Sequence, residues 1–151
     1  MNDFTGLFKK GVELFEVELY WEAIDCFKAI TNLHPNEPLL DDVYLNLAVC
    51  YMKLNLFHEA SEFFLPVYHE EVGDGLFEEG SNNYGSTRAR AALGLIRINI
   101  GLDNINKAEI LLGELKEDNS GMLERDVKVS FFEIAKGEIK RYENQKGELN
   151  G

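Results

Sequence analysis

The feature that most constrains this chain is a pattern that comes round three times. An alanine with a bulky apolar residue four positions later occurs as Ala23 and Phe27 in YWEAIDCF, as Ala60 and Phe64 in LFHEASEFF, and as Ala108 and Leu112 in INKAEILL. Twelve residues before each alanine stands a small or apolar residue, Gly11, then Ala48, then Ile96. Three residues before it stands a large apolar one, Tyr20, Phe57 and Ile105. Landmarks that hold their spacing through three copies indicate one structural unit stacked in series, because such a unit buries its apolar face only against its neighbours.

Each copy reads as two helices joined by a tight turn. Phe4, Leu7, Phe8, Gly11, Leu14 and Phe15 recur at helical intervals, and after a break at Glu18 and Leu19 so do Ala23, Ile24, Phe27 and Ile30. Pro35 and Pro38 stop the second helix, and Asn36 is the expected N-cap of the next. Tyr44, Leu47, Ala48 and Tyr51, then Phe57, Ala60, Phe64 and Val67, make the second copy. Ala92, Leu95 and Ile96, then Ile105, Ala108, Leu112 and Leu115, make the third. The small residues have a packing role, since antiparallel helices approach closely only where Gly or Ala faces a bulky side chain.

Over residues 4–117 the chain resembles the tetratricopeptide repeat family. Leu7, Gly11, Leu14, Tyr20, Ala23, Phe27, Ile30 and Pro35 follow that family's pattern. Tyr44, Leu47, Ala48, Tyr51, Phe57, Ala60, Phe64 and Val67 follow it more closely, and the third copy departs with Asn99 in place of an aromatic. The resemblance implies an all-α solenoid of antiparallel helix pairs in a single domain over 1–151, with repeats at 4–37, 38–72 and 87–118. The family repeats every 34 residues or so; here Ala23 to Ala60 is 37 and Ala60 to Ala108 is 48. Most of the excess falls in 69–86, HEEVGDGLFEEGSNNYGS, read as an acidic, mobile loop that tolerates change. Pro66 should kink its helix or end it early. After Ser120 a last helix is expected to about Asn144, with Leu123, Val127, Phe131, Ile134, Ala135 and Tyr142 on one side. It reads either as a cap on the solenoid or as the first helix of a further repeat. About seven helices and no sheet are expected.

Composition narrows the function. The chain carries 27 acids against 15 bases, a net charge of −12. Acidity of that degree repels phosphate backbones and anionic lipid, which argues against nucleic-acid and membrane partners. No apolar run is long enough for a bilayer, and MNDFTGLFKKG lacks the plan of a secretory signal, so the expected compartment is the cytoplasm. Cys26 and Cys50 have no partner at Cys-x-x-Cys spacing and read as small hydrophobes.

Chemistry-bearing motifs are missing. Gly73, Gly75 and Gly80 follow no phosphate-loop spacing, and His58-Glu59 is not completed by the second histidine of a zinc-protease helix. The pairs Asp41/Asp42, Glu70/Glu71 and Glu78/Glu79 are sequence neighbours, which on a helix diverge by about 100 degrees and build no acid–base dyad. No catalytic residue, metal or cofactor is expected, and no enzyme.

The resemblance further implies a concave groove lined by the first helix of each pair. Phe8, Lys9, Val12 and Phe15 fall there from the first copy, Leu45, Asn46, Val49 and Met52 from the second, and Arg90, Leu93, Arg97 and Ile100 from the third. Eight of these twelve are apolar, and an exposed apolar face of that extent usually marks a binding site. The alternative is that the C-terminal helix folds back and fills it. Some members of the family clamp a chaperone's C-terminal carboxylate, but Phe8, Val12 and Gly94 stand where that clamp needs polar or basic groups. The groove therefore suits a helical or extended apolar segment of a partner protein, and a homodimer is also open. Two classes follow: a scaffold or adaptor that docks a partner segment, or a small export chaperone that holds a secreted client.

Overall fold

The computed structural model describes residues 3–150, with side chains over 3–149. The chain is mostly helical, with helices packed in series, and divides into two compact units, 1–75 and 76–151. No described helix is long and apolar enough to cross a membrane.

The first unit holds α1 (Phe4–Glu16), α2 (Tyr20–Leu33), α3 (Leu40–Lys53) and α4 (Phe57–Tyr68), each packed on the next. Asp3 caps α1 by accepting from the Gly6 N–H at 3.3 Å. Phe27 of α2 lies over Gly11 of α1, so close that a Cβ at Gly11 would stand 2.6 Å from its ring. Between α3 and α4 the contact is aromatic: Phe63 meets Tyr44 edge-on at 5.3 Å and stacks on Tyr51 at 5.8 Å. Trp21 of α2 meets Tyr51 edge-on, which links the two helix pairs.

One expectation is corrected here. Asn36 does not cap α3, which begins at Leu40; Pro38 keeps the residue before it out of the helical region, and turns fill the gap. The helix bearing Pro66 continues through it and stops two residues later, at Tyr68.

The second unit holds β1 (Asn83–Tyr84), α5 (Thr87–Gly101), α6 (Ile105–Glu114), β2 (Gly121–Glu124), β3 (Val127–Ser130) and α7 (Phe131–Asn150). The strands form one antiparallel sheet in the order β1-β2-β3. Seven helices were expected and seven are described, but the sheet was not foreseen. Residues 121–130, read as the start of the last helix, form a hairpin instead. Arg125 and Asp126 turn it, both with positive φ (49° and 66°), the conformation a two-residue hairpin turn requires. α7 then packs on α5 and α6.

The three helix pairs share one turn. Val17, Leu54 and Leu102 close the first helices; Glu18, Asn55 and Asp103 follow with φ of 65°, 60° and 60°; Leu19, Leu56 and Asn104 precede the second helices. In each turn the left-handed residue donates its N–H to the carbonyl three positions back and the next residue to the carbonyl five back, at 2.7–3.0 Å. These bonds satisfy carbonyls that the helix end would otherwise leave open. The landmark residues sit in the same place each time: Ala23, Ala60 and Ala108 are fully buried, as are Ala48 and Ile96.

The segment 69–86, expected to be mobile, is tied down at both ends. In the first unit, Asp41 is 0% exposed and accepts from the N–H of Gly75 at 3.0 Å, while Asp74 donates to the Pro38 carbonyl at 2.8 Å. In the second unit, Phe77 donates to the Gly85 carbonyl, Leu76 bridges Ser86, and Asn83 and Tyr84 join the sheet. Glycines that looked like flexibility are there for close approach: Gly73 (φ 74°) lies against the Asp41 carboxylate and Gly85 (φ 85°) against Ser120.

Candidate functional site

A cavity of about 600 Å³ lies wholly within the second unit. Three elements wall it. α5 presents Arg90, Leu93 and Arg97, spaced i, i+3, i+7 on one helix face. α7 presents Glu133, Ile134, Gly137, Glu138 and Arg141. The sheet presents Asn83, Met122 and Val129, which are register partners on one rung, with Glu124 two residues along the same face as Met122. A second hollow of about 310 Å³ shares Arg97, Glu138 and Arg141 with the first and continues past Ile100 and Tyr142.

Arg97 and Glu138 hold the junction of the two hollows. Nε and Nη2 of Arg97 donate to Oε1 and Oε2 of Glu138, both at 2.8 Å, a forked pair that fixes the carboxylate in the guanidinium plane. Deeper in, burial pushes the Arg90 guanidinium down to about 10, with the Arg97 charge adding to the shift and Glu138 opposing it. Arg90 therefore stays charged at neutral pH. α7 is held a second time at its far end, where Lys146 pairs with Asp103 at 3.1 Å. Gly137 leaves the wall open, since a Cβ there would meet nothing within 4 Å.

The sequence-derived groove residues divide between the two units. Arg90, Leu93 and Arg97 line the larger hollow and Ile100 the smaller, so all four from the third copy come together. In the first unit, Phe8 is engaged by Phe4 and Phe27, and Phe15 by Tyr20. Lys9 is exposed, and Val12, Val49 and Met52 are half-buried. Asn46 is spent within its own helix, donating to the Asp42 carbonyl at 2.8 Å. Leu45 is corrected: at 4% exposure it is core and offers no open face. Leu93, 1% exposed, contributes only floor.

Sequence reasoning missed the α7 wall and the sheet rung, because the hairpin had been read as helix and α7 displaced accordingly. The acid that Arg97 meets is Glu138, 41 residues on. No cluster of three or more His, Cys, Asp or Glu suited to a metal occurs among the described residues. Compared with protein-family models, with curated proteins and with solved structures, the chain matches none.

Proposed function

We propose that the chain is a tetratricopeptide-type helix-pair protein that binds a segment of another polypeptide in the cleft of its second unit. The observation that carries this is the cleft itself, about 600 Å³ between α5, α7 and the sheet, where Leu93, Met122, Val129 and Ile134 lie among three arginines and three glutamates. A cleft that sets a few apolar side chains among charges of both signs suits a mixed polar and apolar polypeptide segment. Its glutamates, Glu124, Glu133 and Glu138, disfavour a phosphodiester chain. The threefold turn and the buried alanines support the family resemblance. The adaptor reading needs only this surface; nothing in the molecule favours the secretion-chaperone reading over it.

A peptide-display selection on the immobilised protein tests the proposal, followed by Gly137→Trp. An indole at Gly137 fills the opening without entering packed core, and replacing a mid-helix glycine costs the helix nothing. The expected outcome is an enriched peptide motif whose binding is lost in Gly137→Trp while the melt stays at the wild-type temperature. Binding that survives the plug, or a selection that enriches nothing, removes the cleft from consideration.

A further inference from the structure

From the Arg97–Glu138 pair we infer what the cleft selects, an inference that rests on the polypeptide-binding reading above. We propose that Glu138 is an exchangeable internal occupant of the cleft, and that the partner segment carries an Asp or Glu between apolar residues whose carboxylate takes its place on Arg97. The charge distribution points the same way. Residues 1–75 hold fourteen acids and four bases, whereas residues 76–151 hold thirteen and eleven, including all five arginines. Three of those five, Arg90, Arg97 and Arg141, line this one cleft against three glutamates, Glu124, Glu133 and Glu138, so the cleft is charge-balanced and has room for one carboxylate on Arg97 rather than for a polyanion. A guanidinium presents a planar fork that fits a planar carboxylate, and the 2.8 Å contacts from Nε and Nη2 display that fit with a carboxylate in place.

Exchange is feasible because the pair is not sealed in. The side chains of Arg97 and Glu138 are 37% and 20% exposed, and both border each of the two hollows. A partner carboxylate that takes Arg97 must turn Glu138 out toward solvent along the open side of the cleft, so binding also needs the flanking apolar contacts with Ile134, Met122 and Val129. The internal occupant lowers affinity for every ligand and spares only those that bring an acid of their own. It also leaves Arg97 compensated when no partner is present, avoiding the cost of a half-buried charge without a counterion.

The test uses two synthetic probes on the full chain, acetyl-Leu-Glu-Leu-Leu amide and its counterpart with Gln for Glu. The readout is the Arg97 Nε–H resonance together with the dissociation constant. The Glu probe is expected to shift that resonance, and Glu138→Gln, which removes the competing charge, to tighten its binding about fivefold, the size of one partly exposed ion pair. The Gln probe should bind weakly and alike to wild type and Glu138→Gln. A third arm, the Gln probe with a free C-terminus, separates a side-chain carboxylate from a terminal one, and tighter binding of that probe than of the Glu probe overturns the assignment. Equal binding of the Glu and Gln probes, no binding of either, or weaker binding in Glu138→Gln also overturns it. Loss of display-selected binders in Gly137→Trp would still leave the polypeptide-binding reading in place, so the two failures are distinguishable. Arg97→Lys, which keeps the charge and loses the fork, should abolish the preference for the Glu probe even where Arg97→Gln perturbs folding.

Discussion

The ring of Phe27 lies on Gly11, with Cε1 at 2.6 Å and Cζ at 2.7 Å from where a Cβ of residue 11 would stand. Phe27 is 0% exposed, so its ring can move only by displacing its neighbours. Gly11→Ala should therefore destabilise by about 1–3 kcal/mol, the cost of overpacking outweighing the gain in helix propensity. Gly113→Ala, in a helix where nothing lies within 4 Å, is the control and should stabilise by roughly 0.5–1 kcal/mol. Urea melts of the two variants check the opposite signs.

The recurrent turn places Glu18, Asn55 and Asp103 in the left-handed region. That conformation costs a residue with a Cβ about 1 kcal/mol, and asparagine tolerates it better than glutamate. Glu18→Gly is expected to raise the melting temperature, and Asn55→Gly to raise it by clearly less. Equal shifts at the two sites would show that something other than backbone conformation sets the stability of the turns.

Asp41 is buried, with Oδ1 accepting from Asp42 N–H at 3.0 Å and Oδ2 from Gly75 N–H at 3.0 Å. Asp41→Ala strands those donors and should cost about 1–3 kcal/mol. Gly73→Ala should also destabilise, since φ is 74° and the methyl would strike the Asp41 carboxylate. Gly80 has no neighbour within 4 Å, so deleting residues around it should leave the melt nearly unchanged, whereas deleting Gly73–Gly75 should lower it. Comparing the two deletions by thermal melt locates the part of 69–86 that the fold needs.

Burial pushes the Cys50 thiol up from 9.0 to about 12. Its folded form holds the proton more tightly than the unfolded chain does, so its contribution to stability is intact below pH 9 and declines from there toward pH 12. Wild type should lose stability relative to Cys50→Ala over that window, and the difference between the two curves cancels every other titrating group. In the native protein at pH 8, Cys50 should resist alkylation for as long as the fold persists.

The helix pairs were readable because each buries a single stripe at period 3.6 and marks its close contact with Gly or Ala. The hairpin was not. Its turn is Arg125–Asp126, with none of the Asn-Gly chemistry that announces such turns, and Leu123 and Val127 stand four apart, as suits a helix equally well. Arg90, Leu93, Arg97 and Ile100, placed by the family resemblance on the first helix of the third copy, border one or other of the two hollows. Glu138 and Arg141 were not foreseen, because their approach depends on where the hairpin lets α7 begin. Leu45 was misjudged because α3 is buried on several sides, with Val43, Leu47, Ala48 and Cys50 also in the core. Helical periodicity locates a buried stripe but does not say how many stripes are covered.

Ser120 joins three starting points in the second unit: its hydroxyl accepts from Ser86 N–H ahead of α5, its carbonyl accepts from Phe131 N–H at the head of α7, and β2 begins at the next residue. The α7–α5 packing reaches back past α6 and the hairpin, whereas the helices of the first unit meet in chain order, each on the one before, and its own 34-residue contact, Asp41 with Gly75, only ties down the segment after α4. Bringing α7 back to α5 must precede the gain from packing it, and closing that loop is a slow step of the kind that non-local topologies impose. The amides of α1 to α4 should thus gain protection from solvent exchange early in refolding. Those of β2, β3 and α7 should follow together, in one later phase that Ser120→Ala delays.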